Sequence, residues 1–216
     1  ILMNLFMHYA FDVWMKRTNP TCPFARYADD AVVHCRSRKQ AEQVMRSIAL
    51  RLTECGLTMH PEKSRIVYCK SSGRNASYPH VQFTFLGFTF RPRRAVNSQG
   101  RRFTSFSPGV SVEALKRMRK EVRGWRIHRR TATTLAELAK QYNPVLRGWW
   151  NYFGEFYPSA MHSFAMYFDG KLMQWARRKY QTLERREQAS VQWLIKMKNC
   201  FPQMFFYWSV TRYSVG

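Results

Sequence analysis

Two adjacent carboxylates lie between two short apolar runs at residues 27–30, Tyr-Ala-Asp-Asp, and this pattern constrains the N-terminal fold most strongly. The run before it is Phe-Ala-Arg at 24–26, and the run after it is Ala-Val-Val at 31–33. β-forming residues on both sides of turn-forming residues predict a strand, a tight turn and a second strand. Successive strand side chains point to opposite faces of a sheet, so both aspartates can serve one site only where the backbone turns sharply.

Asp29 and Asp30 are the candidate ligands of a divalent cation. Neighbouring carboxylates at a hairpin tip repel each other unless a cation lies between them, and Mg²⁺ prefers oxygen ligands of this kind. In two-metal phosphoryl transfer, such ions activate the attacking oxygen and stabilise the leaving one. The alternative interpretation is a solvated Asp-Asp turn with no chemical role.

The residues Phe-Ala-Arg-Tyr-Ala-Asp-Asp at 24–30 resemble the palm signature of reverse transcriptases, in the form found in group II intron proteins. Three further segments continue this resemblance in the same order. Residues 56–64 resemble the segment after the palm helix, and Phe-Leu-Gly-Phe at 85–88 resembles the primer-grip hairpin. Residues 143–153 resemble the centre of the thumb, or maturase, domain. The resemblance covers about residues 1–180.

This resemblance implies an RNA-directed DNA polymerase of group II intron type that also acts as a maturase, binding intron RNA in splicing and retrohoming. Asp29 and Asp30 would be its catalytic residues and would hold two Mg²⁺ ions. The positions near the nucleotide or primer would be Tyr27, Ala28, Leu86 and Gly87. Trp149 and Trp150 are weaker candidates for stacking on bases, because helical aromatic residues more often form a core.

A third palm carboxylate, from an earlier strand, normally completes the metal site in that family, and no segment of this chain resembles that strand. The fingers and the Gln-Gly loop are not recognised either, and the chain begins at Ile1 inside an apolar helical pattern (Leu2, Leu5, Phe6, Tyr9, Val13). We therefore expect a C-terminal portion that cannot polymerise DNA alone, with the N-terminal half removed or supplied by another chain. No His-Asn-His endonuclease is recognisable after residue 180.

The charge balance predicts a polyanionic partner. Lys and Arg number 36 against 13 Asp and Glu, which gives a net charge of +23. Phosphate contacts supply most non-specific nucleic-acid affinity, so structured RNA and an RNA template–DNA primer duplex are the expected partners. A cationic membrane-surface protein is the competing interpretation, although no apolar stretch of about 18 residues is present. The candidate RNA-binding residues are Lys116, Arg119, Lys120, Arg123, Arg126, Arg130, Arg147, Lys171 and Arg178.

The cysteines predict no disulfide framework and no zinc site. They number five, with wide spacing and no Cys-x-x-Cys pair. We interpret them as buried reduced thiols in a cytoplasmic protein, in a bacterial or archaeal cytosol or an organelle.

The first part of the chain mixes strand and helix signals. Apolar spacing predicts a helix over 38–55, ended by Gly56. A strand is predicted over 65–69, a loop over 70–80 that includes Asn75, and β structure over 81–90. Residues 91–110 indicate a basic hairpin and linker.

The remainder predicts helices. Ser111 can cap a helix over 112–129, and the 3.6-residue periodicity places Arg119, Arg123 and Arg126 on one basic face. Thr134 and Glu137 predict a capping box for the next helix, which Pro144 should break or kink. A further helix is predicted over 159–180, with Phe164, Phe168, Leu172 and Trp175 facing inward.

The expected fold is therefore α+β. Residues 1–92 would form a partial palm, 93–110 a basic hairpin and linker, and 111–216 a helical thumb or maturase domain. Two rival functions remain open at this point. One is a splicing cofactor that has lost polymerase activity, and the other is a reverse transcriptase recruited to a role such as bacterial defence.

Overall fold

A computed structural model describes residues 1–74 and 76–212, so Asn75 of the predicted loop lies outside the described residues. The fold is α+β, as predicted. The helices are α1 Leu2–Met7, α2 Trp14–Thr18, α3 Arg38–Glu54, α4 Val112–Gly124, α5 Leu135–Phe153, α6 His162–Lys179, α7 Glu187–Cys200 and α8 Phe206–Arg212. The strands are β1 Phe24–Tyr27, β2 Asp30–Val33, β3 Phe83–Phe85, β4 Phe88–Val96 and β5 Arg102–Val110. Strands β1 and β2 form an antiparallel hairpin, and the others form a sheet of order β3-β4-β5.

The chain divides into two compact units. The first comprises Ile1–Leu86 with Arg91–Phe106, and the second comprises Gly87–Phe90 with the chain from Ser107 onward. The domain limits expected from the sequence stay predictions. None of the helices in the described part of the chain is both long enough and apolar enough to span a membrane.

The N-terminal helix of the first unit buries a different face from the one its apolar residues suggest. A π-helical stretch, His8–Val13, joins α1 directly to α2. The buried side chains are Met7, Phe11 and Met15, which pack with Cys22 and Val44 in the core of this unit. The apolar side chains Leu2, Leu5, Phe6 and Tyr9 are exposed instead.

Helix α3 begins and ends where the sequence predicts. The Ser37 hydroxyl accepts a hydrogen bond from the Gln40 N–H at the first turn. At the other end Gly56 has φ of +73°, and the Leu57 N–H donates to the Leu52 carbonyl at 2.8 Å. This is the Schellman arrangement that a helix-terminating glycine permits. The apolar spacing predicts one buried face for this helix, and on it Val44 is fully buried, whereas Ala41, Met45, Ile48 and Leu52 are half-buried.

The strand predicted over 65–69 is wrong. These residues form no strand ladder, and Tyr68 donates a single backbone hydrogen bond to the carbonyl of His80. β-forming side chains alone do not make a strand when the neighbouring segment is an irregular loop that offers few backbone partners.

The second unit has a core built largely of aromatic side chains. The four inward residues predicted for α6 are fully buried, and Trp150, Phe205, Tyr207 and Trp208 pack with them. Both predicted caps are present: the Ser111 hydroxyl accepts from the Ala114 N–H, and Thr134 and Glu137 bond reciprocally as a capping box. The predicted helix over 159–180 is confirmed as α6, preceded by a 3₁₀ turn, Pro158–Met161.

The predicted helix break at Pro144 and the predicted continuation of the preceding helix to residue 129 are wrong. Helix α5 continues through Pro144, because Tyr142, Leu146 and Trp150 pack it against the core on both sides of the proline. Packing of this kind outweighs the single hydrogen bond that proline removes. The helix predicted over 112–129 ends at Gly124; Arg126 has φ of +50°, and a 3₁₀ turn, Ile127–Arg129, follows. Arg126 therefore does not continue the helical face of Arg119 and Arg123.

The turn between β3 and β4 requires glycine. Leu86 and Gly87 both have positive φ, +51° and +80°, the combination of a type I′ hairpin turn. A Cβ at Gly87 would lie 3.1 Å from the Phe153 ring. A side chain at position 87 would therefore be strained by the left-handed backbone and would crowd the Phe153 ring.

We predict that Gly87→Ala destabilises the second unit by about 1–2 kcal/mol, because the new methyl meets Phe153 in a left-handed conformation. Gly148→Ala is the matched control: nothing lies within 4 Å of its added Cβ, and the position is inside α5. Alanine there should stabilise by about 0.5–1 kcal/mol. Hydrogen exchange of α5 and α6 amides measures the stability change in each variant. Equal protection in Gly87→Ala and Gly148→Ala would contradict the prediction.

Candidate functional site

The two candidate carboxylates lie at the tip of the β1–β2 hairpin. Tyr27 is opposite Asp30 in the strand register, so Ala28 and Asp29 form a two-residue turn. Asp29 and Asp30 are both exposed, and Tyr27 is 65% exposed. The sharp turn that the sequence required at this point is therefore present, and it presents both acidic residues to solvent.

Ala28 occupies a left-handed conformation, with φ of +54°. A residue with a side chain adopts this region at a cost of about 1–2 kcal/mol, so surrounding contacts must hold it. One such contact is made by Arg26, which donates from Nη1 to the Ala28 carbonyl at 2.6 Å.

Arg26 is in turn fixed by Asp12 of the π-helical stretch. Its Nε and Nη2 donate to the two carboxylate oxygens of Asp12, each at 2.7 Å. The side chains are only 10% and 16% exposed, which distinguishes this bidentate pair from an ordinary surface salt bridge. The hydrogen bond from Arg26 holds the pKa of the Asp12 carboxyl below its ordinary value. We call Asp12, Arg26 and the Ala28 carbonyl the turn clamp.

The π-helical stretch that carries Asp12 of the turn clamp makes further contacts. Arg51 from α3 donates from Nε to the carbonyl of Ala10 at 3.2 Å, inside the π-helical stretch. His8 Nδ1 lies 3.5 Å from the Asp12 carboxylate on the next turn. Single π-helical turns occur often beside functional sites, because they shift side chains out of α-helical register.

The tip of the hairpin fits part of a hard-cation site. Two adjacent carboxylates supply the oxygen donors that Mg²⁺ takes. Across the described residues no group of three His, Cys, Asp or Glu side chains is arranged to hold a metal. Both oxygens of Asp12 accept hydrogen bonds from Arg26.

The other residues expected near nucleotide or primer are Leu86 and Gly87, in the turn between β3 and β4. Leu86 is 38% exposed and belongs to the first unit, whereas Gly87 belongs to the second. Their proposed contact with primer stays a prediction.

A second candidate site is a basic surface on the second unit, formed by α4, the 3₁₀ turn after it, and α6. We call it the α4–α6 basic surface. Its residues are Arg119, Arg123, Arg126, His128, Arg129, Lys171 and Arg178. Three of the predicted RNA-binding residues on it, Arg123, Arg126 and Arg178, are exposed.

Tyr167 lies beside two of the cations of this surface. The Arg119 guanidinium is 5.6 Å from its ring centre and the Lys171 ammonium is 5.2 Å from it. The Tyr167 hydroxyl donates to the backbone carbonyl of Arg119, and burial raises the pKa of that hydroxyl. Arg119 is itself half-buried and donates to the Ser163 carbonyl, so it is a structural part of the surface rather than a free cation.

His128 lies near several other cations of the same surface. Partial burial, together with the positive charges of Arg178, Arg129, Lys171 and Arg126, lowers the pKa of this histidine. The 3₁₀ turn and α6 therefore bring into one electrostatic neighbourhood charges that are about 50 residues apart in sequence.

The remaining predicted RNA-binding residues have separate environments. Lys116 and Lys120 are exposed on α4. Arg130 is exposed and bonded to the Trp125 carbonyl and the Gln141 side chain. Arg147 lies with its guanidinium 5.1 Å from the Phe206 ring centre, beside α8. Their phosphate contacts stay predictions.

Stacking of Trp150 on bases is excluded by its position. Trp150 is 4% exposed and stacks on Tyr207 with ring centres 5.2 Å apart. Trp149 is half-buried and parallel to Trp125 at 5.8 Å, and Trp125 stacks on Tyr142 at 4.3 Å. These aromatic residues form the core, as helical aromatic stripes usually do.

Sequence reasoning missed Asp12, Tyr167 and His128. Asp12 is 14 positions from Arg26 and has no motif of its own. Tyr167 and His128 stand within apolar and basic runs that show no distinguishing spacing. An acidic residue in an otherwise apolar helix is the one signal that could have indicated a buried arginine partner for Asp12.

Comparisons with known families agree with this geometry. Residues 1–90 match the reverse transcriptase (RNA-dependent DNA polymerase) family, and residues 115–193 match the group II intron maturase-specific domain. The chain belongs to the group II intron reverse transcriptase/maturase family. A search of curated proteins finds no match to it. The hairpin and turn clamp lie within the first matched region, and the α4–α6 basic surface lies within the second.

We predict that Asp12→Asn loosens the hairpin in a pH-dependent way. The Asp12 pKa is lowered in the folded state, so the carboxylate stabilises the fold above its unfolded pKa of about 3.9 and loses that effect as pH falls through the folded value. At pH 7 the variant should lose about 1–2 kcal/mol of local stability, since one charged partner of a mostly buried pair is neutralised. The difference from wild type should shrink toward pH 2.

Hydrogen exchange of the Phe24–Val33 amides measures this change. Glu42→Gln is the control, because the Glu42 pair with Arg38 is exposed on both sides and should contribute little. If Asp12→Asn loses as much protection at pH 2 as at pH 7, the carboxylate charge of Asp12 does not hold the hairpin. The same conclusion follows if the control variant loses as much protection as Asp12→Asn.

Proposed function

We propose that this chain is part of an RNA-directed DNA polymerase that also binds intron RNA as a maturase. The observation that carries the proposal is the exposed Asp29-Asp30 turn, held in a left-handed conformation by the turn clamp, within the region that matches reverse transcriptases. The match of residues 115–193 to the maturase-specific domain supports the RNA-binding part.

In this proposal Asp29 and Asp30 hold Mg²⁺ and act in nucleotidyl transfer from a deoxynucleotide to a primer 3′-hydroxyl. Bound Mg²⁺ would supply charge stabilisation for the phosphoryl group during transfer. Tyr27 and Ala28 would lie beside the nucleotide or primer, and Leu86 and Gly87 would approach the primer end.

Asp12 and Arg26 act in this proposal as positioning residues. They bond to the backbone of the turn rather than to substrate, and they oppose relaxation of Ala28 toward a commoner backbone conformation. A ligand residue misplaced by about 1 Å can cost two orders of magnitude in rate, so this support is functionally relevant.

The α4–α6 basic surface would bind phosphates of intron RNA or of the template–primer duplex. Its exposed arginines are the charges expected to replace counterions on RNA. Because this role does not use the carboxylates, it also supports the second candidate function, a splicing cofactor without polymerase activity. A role on intron RNA would place the protein in the cytosol or organelle where that RNA is spliced.

Asp29→Ala in the complete protein should abolish primer extension, while RNA affinity changes little. A metal ligand acts on the chemical step, whereas affinity comes from basic residues. Glu62→Ala removes an exposed carboxylate elsewhere in the first unit and should leave extension unchanged. Extension by the Asp29 variant above about a tenth of the wild-type rate would reject the metal-ligand assignment.

Assays of intron splicing and of primer extension, carried out side by side, separate the two candidate functions. If the wild-type protein promotes intron splicing and shows no primer extension under any Mg²⁺ or Mn²⁺ condition, the splicing-cofactor function is favoured. If extension is present and Asp29 and Asp30 variants lose it together, the polymerase function is supported.

Replacing Arg123, Arg126 and Arg178 together with Gln should weaken RNA binding and reduce its salt dependence. All three are exposed, so their loss should not disturb the core. The slope of log affinity against log salt should fall by roughly two units, a little under one for each phosphate contact removed.

A charge-matched control replaces three exposed cations of the second unit outside this surface, Lys140, Arg185 and Lys196, with Gln. Its salt slope should stay close to that of the wild type. Equal slopes in the two triple variants would show that the α4–α6 basic surface is solvated in the complex and that RNA binds elsewhere.

A further inference from the structure

Two cysteines flank the hairpin that carries Asp29 and Asp30. Phe24 lies opposite Val33 in the strand register, and the His34 N–H donates to the Pro23 carbonyl at 2.8 Å. That bond extends the register one step beyond the strands. The next opposed pair is Cys22 with Cys35.

The register places Cys22 and Cys35 at the kind of opposed position where a disulfide can form. Hydrogen-bonded and non-hydrogen-bonded pairs alternate along an antiparallel ladder, and Pro23 with His34 is a bonded pair. Cys22 and Cys35 therefore occupy a non-hydrogen-bonded position, where Cα atoms are typically about 4.5 Å apart. Disulfides need a Cα separation of about 4.4–6.8 Å, a range that includes this typical value.

Both thiols also point to the same side of the hairpin. Cys22 and Cys35 share the core cluster of the first unit with Phe24 and Val33, which are two residues inward along each strand. The Cys22 thiol is near enough to that of Cys35 to raise its pKa. Cys22 is buried and Cys35 is half-buried, so one member of the pair is open to a small reagent.

We propose that Cys22 and Cys35 are a redox pair, which a small-molecule disulfide converts into a cross-strand disulfide tying together the two ends of the Asp29-Asp30 hairpin. This inference goes beyond the proposed function and does not depend on polymerase activity. The other cysteines are Cys55, Cys69 and Cys200, and no register relation pairs them with each other in the described strands.

The reaction is a pair of thiol–disulfide exchanges. Cys35 thiolate attacks one sulfur of the small disulfide, forming a mixed disulfide and releasing one small thiolate. Cys22 thiolate then attacks the Cys35 sulfur, forming the protein disulfide and releasing the second thiolate. The two protons lost by the protein thiols end on the two released thiols, and the two electrons reduce the small disulfide.

The environment of Cys35 sets the rate of this reaction. Burial, together with the neighbouring Cys22 thiol, raises the pKa of Cys35 to about 11. The thiolate is the attacking species, so the reaction should be slow at neutral pH and should accelerate roughly tenfold for each pH unit up to that value. The pair would remain reduced through brief oxidant exposure and respond to a sustained one.

The test treats the reduced, purified chain with 2-hydroxyethyl disulfide at pH 7, 8 and 9, followed by acid quenching, thiol alkylation, trypsin and mass spectrometry. Trypsin cuts after Arg17, Arg26 and Arg36, so the link would join residues 18–26 to residues 27–36. We expect that linked peptide to form on the order of 100-fold faster at pH 9 than at pH 7. Protection of the Phe24–Val33 amides from hydrogen exchange should rise in the oxidised protein.

The controls are Cys22→Ser, Cys35→Ser and Cys55→Ser, together with the wild-type chain oxidised in concentrated urea. The first two should give no linked peptide, the third should give it at the wild-type rate, and urea should yield mixed pairings. The proposal is overturned if the folded wild type gives only mixed disulfides with the reagent, or links Cys22 or Cys35 to other cysteines. It is equally overturned if the folded and urea-treated chains give the same mixture.

Discussion

The ion pair between Asp12 and Arg26 is the interaction on which the candidate catalytic hairpin depends. Ala28 has a backbone conformation that costs about 1–2 kcal/mol, and Asp29 has its present direction only while Ala28 keeps it. A charge-assisted hydrogen bond contributes about 1.5–3 kcal/mol, so the bond from Arg26 to the Ala28 carbonyl is large enough to offset this strain. Arg26 can be held at the turn because Asp12 neutralises it in a mostly buried position.

Two acidic residues of the second unit are engaged in hydrogen bonds within the fold, against a background of 36 Lys and Arg to 13 Asp and Glu in the chain. In the second unit, Asp169 bonds to Lys198, Tyr207 and Trp208, with shortest distances of 2.5 Å. Glu137 is committed to the capping box, which holds its pKa below the ordinary value. With a net charge of +23 the chain has too few acidic residues to neutralise the exposed arginines of α4 and α6, so a polyanion is the natural counter-charge for that surface.

The sequence predicted the parts of the fold that depend on neighbours in the chain. Ser111, the Thr134–Glu137 box and Gly56 act within one helical turn, so their spacing alone determined where α4 and α5 begin and α3 ends. The Tyr27–Asp30 turn was predictable for the same reason. What failed depends on contacts distant in sequence: α5 passes through Pro144 because its packing compensates, and residues 65–69 form no strand for want of partners. The cysteines were only partly predicted, since Cys200 is exposed rather than buried.

The early end of α4 changes how the basic surface is built. A single helix bearing Arg119, Arg123 and Arg126 on one face would present a row of like charges along its axis, which is unfavourable in the absence of RNA. The left-handed conformation of Arg126 instead turns the chain, so that Ile127 is buried and His128 approaches α6. Charges from three elements are thereby spread over an area rather than a line, with Tyr167 between Arg119 and Lys171. Under the proposed function, charges spread in this way would reach phosphates on more than one strand of a folded or duplex RNA.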